Sequence, residues 1–133
     1  MLLDTGVLVA LYARDDPYHR AAVDWLARYR GSLHSVEPVL SEAAFFLPAT
    51  ARAALAELVE RETISVHHPD RTAYGRIAYL FRKYANLDPD WADVSLVWLA
   101  EEMGITRIAT LDVTDFSVYR IHARKRFELE LLR

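Results

Sequence analysis

Short apolar runs alternate along this chain with longer stretches in which apolar residues recur every three or four positions. The first run, Met1 to Asp4, predicts a buried strand ending at Asp4-Thr5-Gly6, and Val7 to Ala13 continues with helical spacing. Asp15-Asp16-Pro17 predicts the start of a helix that carries Ala21, Ala22, Trp25, Leu26 and Tyr29 on one stripe and ends at Gly31. Leu33 to Val36 predicts a second strand. Pro38 opens a helix bearing Val39, Leu40, Ala43, Phe46 and Leu47, and Pro48 breaks it before another helix through Glu60. Ile64-Ser65-Val66 predicts a third strand, stopped by Pro69. The spacing of Tyr74, Ile77, Ala78, Phe81 and Tyr84 predicts an amphipathic helix. Asp88-Pro89-Asp90 reads as an N-cap followed by proline at the first helical position, opening a helix to Met103 with Gly104 as its stop. Ile108 to Leu111 predicts a fourth strand, followed by a short turn or helix from Asp112 to Phe116. Val118 to Leu132 has room for one or two further strands.

Strands that alternate with helices indicate an α/β domain built on a mainly parallel sheet, here of four or five strands within one domain spanning residues 1–133. Ligands of such sheets bind beyond the carboxyl ends of the strands, where strand order reverses. Asp4 closes the first predicted strand and Asp112 the fourth, so both point at the same edge of the sheet.

That placement directs attention to four acids set in apolar surroundings: Asp4, Glu42, Asp93 and Asp112. Asp93 shares a helical stripe with Leu96, Val97 and Ala100, and Glu42 lies three and four residues from Val39, Phe45 and Phe46. Each has an ordinary structural reading. Asp4 and Asp112 suit helix caps or turn starts, Asp93 suits the first turn of a helix, and Glu42 suits the rim of a helix face. Four such coincidences around one sheet edge carry more weight than any alone. Two carboxylates about 5 Å apart at an effective dielectric near 20 repel by roughly 3 kcal/mol. Gathering four therefore calls for protons or a cation. Oxygen-only ligands select Mg²⁺ or Mn²⁺, ions suited to hydrolysis at a phosphate.

The segments that carry these acids resemble those of PIN-domain nucleases. Leu2-Leu3-Asp4-Thr5-Gly6-Val7-Leu8, Ser41-Glu42-Ala43, Ala92-Asp93-Val94-Ser95-Leu96 and Thr110-Leu111-Asp112 occur in that family's order, across essentially the whole chain. Within the family the chain is most similar to VapC-type toxins of toxin–antitoxin pairs. The resemblance implies a three-layer α/β/α fold, Mg²⁺- or Mn²⁺-dependent cleavage of RNA, a homodimer and a cognate antitoxin that blocks the site. By position it implies Asp4, Glu42, Asp93 and Asp112 as metal ligands, directly or through water, with Thr5 and Thr110 as polar neighbours. Asp115 is a candidate fifth carboxylate that is equally well read as a turn residue, and Asp90 reads as a helix-start residue, with a place in the outer shell of the metal as the lesser reading. Where the family pattern often has serine this chain has Gly6, which removes a possible hydrogen bond to one of the acids.

Composition narrows the alternatives. The chain is 53% hydrophobic and 26% charged, which is globular, and its net charge of −3 gives no global basic field. It has no cysteine, which excludes disulfides and thiolate metal sites and fits a reducing cytoplasm. No apolar run approaches the roughly 18 residues of a membrane span, and no secretory leader is visible. Asp4-Thr5-Gly6 is also the tripeptide of aspartic proteases, but those are all-β enzymes with the acid inside a loop. The histidines at 19, 34, 67, 68 and 122 lack zinc-like spacing, and His67-His68 reads as surface. The basic run His122, Arg124, Lys125 and Arg126 beside Arg120 reads as a solvated face, an antitoxin contact or a contact with RNA phosphates. Trp91, Trp98, Tyr79 and Phe81 have the spacing of core or dimer-interface residues. Two other functions fit the same acids: a housekeeping RNA-processing nuclease, and a catalytically silent binding module.

Overall fold

The computed structural model describes residues 1–130. The chain runs β1 (Leu2–Leu3), α1 (Thr5–Tyr12), α2 (His19–Arg28), β2 (His34–Val36), α3 (Glu37–Phe45) and α4 (Ala49–Glu60). It continues through β3 (Ser65–His67), α5 (Tyr74–Lys83), α6 (Trp91–Met103), β4 (Arg107–Ala109) and α7 (Val113–Val118). A two-stranded hairpin, β5 (Arg120–Ile121) and β6 (Lys125–Arg126), precedes β7 (Glu128–Glu130). The last predicted strand residues, Leu131 and Leu132, lie outside the described range.

Five strands form one sheet in the order β3-β2-β1-β4-β7, and every neighbouring pair is parallel. Helices flank this sheet in the expected α/β/α arrangement. Order reverses at β1, whose neighbours are β2 on one side and β4 on the other. The crevice beyond β1 and β4 is therefore the switch point, and the backbone N–H of Asp4 closes onto the Ala109 carbonyl at 3.1 Å. Leu2 and Leu3 are wholly buried, as a two-residue central strand covered on both faces must be.

Helix α6 is the centre of the packing. Every residue from Ala92 to Glu101 is buried, so this helix is enclosed on all sides instead of presenting one apolar stripe. It contacts α3, α5, β2 and β5. Beneath its first turns lies an aromatic cluster in which Tyr119 packs edge-on to Tyr84 and Phe116, and Phe116 packs edge-on to Phe127. The cluster fastens α7 and the hairpin to the core.

Several boundaries differ from the sequence reading. Helix α2 begins at His19, later than Asp15-Asp16-Pro17 suggests, because the Asp16 carboxylate accepts the Tyr18 N–H at 2.8 Å and turns the chain first. Its helical residues end at Arg28, before Gly31. The cap of α6 is Asp90. Asp88 adopts a left-handed conformation (φ 47°) and closes the preceding 3-10 turn instead. Strand β4 stops at Ala109, leaving Thr110 and Leu111 to approach the crevice. Phe46, expected on the apolar side of α3, is 61% exposed. Tyr79 and Trp91 are also exposed, whereas Trp98 is buried.

Candidate metal centre

Four structural elements deliver acids to one cleft beyond β1 and β4. Asp4 follows β1, Glu42 stands on the middle of α3, Asp93 is in the first turn of α6, and Asp112 precedes α7; all four line the cleft. Asp90, Asp16 and Phe46 line it too.

Three of the cleft acids, Asp4, Asp90 and Asp112, double as helix caps, which helps the chain hold them so closely. Asp4 Oδ1 accepts the Thr5 N–H at 2.8 Å at the start of α1. Asp90 Oδ1 accepts the Asp93 N–H at 2.7 Å, and Asp112 Oδ1 accepts the Asp115 N–H at 3.0 Å. Each cap satisfies an orphan donor, and each helix start offers a partial positive charge to the carboxylates around it. The capping and clustering readings of these residues are thus compatible.

Thr110 ties the two strand ends together. Its hydroxyl donates to Asp4 Oδ2 at 2.8 Å and accepts the Asp112 N–H at 2.9 Å. Thr5 is buried beside Asp4, lines the cleft, and its hydroxyl has no hydrogen-bond partner among the described residues. Asp115 joins the group: Asp93, Asp112 and Asp115 each offer a carboxylate oxygen, all within 4.8 Å of one another. The side chain of Tyr119, wholly buried, donates its hydroxyl to Asp93 Oδ2 at 3.1 Å.

Crowding has an electrostatic signature. Burial pushes the Asp93 carboxyl up to about 8, the charges of Asp90 and Asp4 add to the rise, and the Tyr119 bond opposes it. Burial likewise lifts Asp4 to about 6 against the bonds from Thr110 and Thr5. Glu42 is raised by burial and then by Asp90 and Asp4, and Asp115 by burial and then by Asp112. Groups raised together in this way at one cleft are candidates for a functional site.

The donor set fits a hard divalent cation. The candidate ligands are all carboxylate oxygens, the matching choice for Mg²⁺ or Mn²⁺. The unpartnered Thr5 hydroxyl fits as well, since a buried polar group without a partner costs about 1–3 kcal/mol.

Residues 1–121 match the family model described as PIN domain. The chain belongs to the PIN-domain family. Among solved structures, this PIN domain is similar to the VapC20 toxin of Mycobacterium tuberculosis, described as a sarcin–ricin loop cleaving toxin. The two share 18% identity with a TM-score of 0.77, over 85% of this chain and 90% of that one. At that identity the likeness speaks for the fold. No curated protein matches the chain in sequence.

One feature of the PIN cleft lies beyond the sequence reading. Tyr119 carries no local signal, because Asp93 lies 26 positions away. Asp90 is the helix start that its position suggests, and it also lines the cleft, the outer place among the acids that the sequence leaves as the lesser reading. The basic run falls on the β5–β6 hairpin, with Arg124, Lys125 and Arg126 exposed, and it does not line the acidic cleft. No described helix is long and apolar enough to cross a membrane.

Proposed function

We propose that this PIN domain is a divalent-metal-dependent endoribonuclease of the cytoplasm and the toxin of a toxin–antitoxin pair. The observation that carries the proposal is the convergence of separately delivered carboxylates at the strand-order switch, at a free-energy cost that a cation would relieve. Asp4, Glu42, Asp93 and Asp112 would hold Mg²⁺ or Mn²⁺, directly or through water, with Thr5, Thr110 and Asp115 as polar neighbours. When bound, the ion supplies Lewis acidity and charge neutralisation for hydrolysis at phosphorus.

The chain's own residues prepare that chemistry. The Thr5 N–H and the Thr110 hydroxyl fix both oxygens of Asp4, and the Tyr119 hydroxyl orients Asp93. Asp93, raised to about 8, keeps its proton near neutrality in the metal-free chain. The toxin reading draws on the description of VapC20, similar in fold, as a cleaving toxin. Exposed Tyr74 and Tyr79 on α5 and Trp91 at the start of α6 supply apolar surface for the homodimer.

Two measurements test the reading. Purified protein should cleave RNA with Mg²⁺ or Mn²⁺ and stop in EDTA; equal cleavage in excess EDTA rejects the metal requirement. Expression alone should arrest growth, with relief by the product of a small adjacent gene. Cleavage without growth arrest would return the assignment to RNA processing.

A further inference from the structure

Helix α3 places a carboxylate and an exposed ring side by side. Glu42 and Phe46 are four residues apart, Phe46 keeps right-handed helical geometry as the cap of α3, and both line the acidic cleft. Residues so spaced sit about 5–6 Å apart at Cβ. Phe46 also lines a second groove, shared with Tyr12, Arg14, Asp15, His19 and Thr50. Phe46 is thus common to both depressions. It packs perpendicular to Phe45 with ring centroids 5.2 Å apart, yet remains 61% exposed. Leaving a phenylalanine in water forgoes about 1.5–3 kcal/mol of burial.

We infer that Phe46 is a stacking platform for an unpaired nucleobase of an RNA strand that runs from the acidic cleft into the neighbouring groove. The inference rests on the nuclease reading and adds to it the residue that would hold a base beside the cleft. Three arguments support it. One helical turn separates the ring from Glu42, which matches the reach from a phosphate to its own nucleoside. An aromatic face accepts every base but only an unpaired one, since a paired base is stacked within its duplex. The second groove carries donors for a phosphate backbone on Arg14, Tyr12 and Thr50 beside a single acid, Asp15, whereas the acidic cleft is lined by six acids and no lysine or arginine.

The test is the affinity of a fluorescein-labelled, mixed-sequence 12-nucleotide RNA, measured by anisotropy with Ca²⁺ in place of Mg²⁺. Phe46→Ala should weaken binding about 5- to 150-fold, the range of one lost stacked base. Phe46→Leu, apolar but without a π face, should remain weakened, and Phe46→Trp should restore affinity to within about twofold. The slope of log affinity against log salt should match wild type in all three variants, because no phosphate contact is removed. Unchanged affinity in Phe46→Ala, or full affinity in Phe46→Leu, overturns the platform while leaving the nuclease reading intact. A change of oligomeric state by light scattering with unchanged RNA affinity does the same and assigns the ring to a protein interface. Wild-type protein that neither binds nor cleaves RNA overturns both.

Discussion

The hydroxyl of Tyr119 reaches Asp93 across the core, donating to Oδ2 at 3.1 Å from a position with no exposure to solvent. The ring is held edge-on by Tyr84 and Phe116, so the donor arrives pre-positioned. Tyr119→Phe keeps that packing and removes one oxygen. Loss of such outer partners commonly lowers metal affinity by about 10- to 100-fold. Calorimetric titration with Mn²⁺ should show a weakening in this range, with the thermal midpoint of the metal-free protein little changed. Undiminished Mn²⁺ affinity would mean the hydroxyl only fills space.

Asp93 also sets a pH dependence. Its folded carboxyl is raised to about 8 from an ordinary 3.8. Between those values the folded chain keeps a proton that the unfolded chain has released, so this group's contribution to stability is fully present below about pH 4 and is lost as pH rises towards 8. Metal-free protein should therefore melt at a lower temperature at pH 8 than at pH 5. Asp93→Asn should flatten this decline, raise stability at pH 8 and lower RNA cleavage by at least about 100-fold. If this variant cleaves at the wild-type rate, Asp93 has no part in metal binding.

These acids were visible in the sequence to different degrees. Asp4 and Asp112 stand at strand ends, where a period-based reading already assigns the functional edge of a parallel sheet. Asp93 declares itself by sharing a stripe with Leu96 and Val97 on a helix that is enclosed all round. Glu42 reaches the cleft for a different reason than its neighbours suggest. Phe45 and Phe46, which resemble a core stripe, are 79% and 61% exposed. Hydrophobicity alone cannot separate a ring that packs inward from one that faces a ligand. Tyr119 and the Glu101–Arg76 pair were hidden because side-chain partners distant in sequence leave no periodic trace. The starts of α2 and α6 shifted because aspartates near proline serve a turn as readily as a helix.

Metal should stabilise the fold by relieving the same repulsion. A ligand at 100 times its dissociation constant adds about 2.7 kcal/mol. For a chain of this length that corresponds to a rise of roughly 10 °C in thermal midpoint. Differential scanning calorimetry at pH 7.5 with saturating Mn²⁺ should show it, and Asp112→Asn should remove most of it. An unmoved midpoint across millimolar Mn²⁺ would leave the carboxylate cluster without its proposed occupant.

The opposite end of α6 carries an acid whose behaviour has the reverse sign. Burial works to raise the Glu101 carboxyl, but two bonds from Arg76 at 2.8 Å and the His122 N–H at 2.7 Å outweigh it and hold the group below its usual range. A depressed carboxyl contributes stability above its ordinary value near 4.5 and loses it as pH falls through the folded value. The contact clasps α5, α6 and the β5–β6 hairpin, away from the metal cleft. Arg76→Ala leaves the buried carboxylate with little beyond one backbone donor. Because Arg76 is itself partly exposed, the expected loss is about 2–3 kcal/mol, below the usual figure for a fully buried pair. The thermal midpoint at pH 7 should drop by roughly 10 °C, and the gap from wild type should narrow as pH is lowered towards 3. Mn²⁺ affinity should stay within about twofold of wild type, because none of the cleft-lining acids touches this pair. A variant that lost metal binding in proportion to stability would instead show that the clasp and the cleft act as one unit.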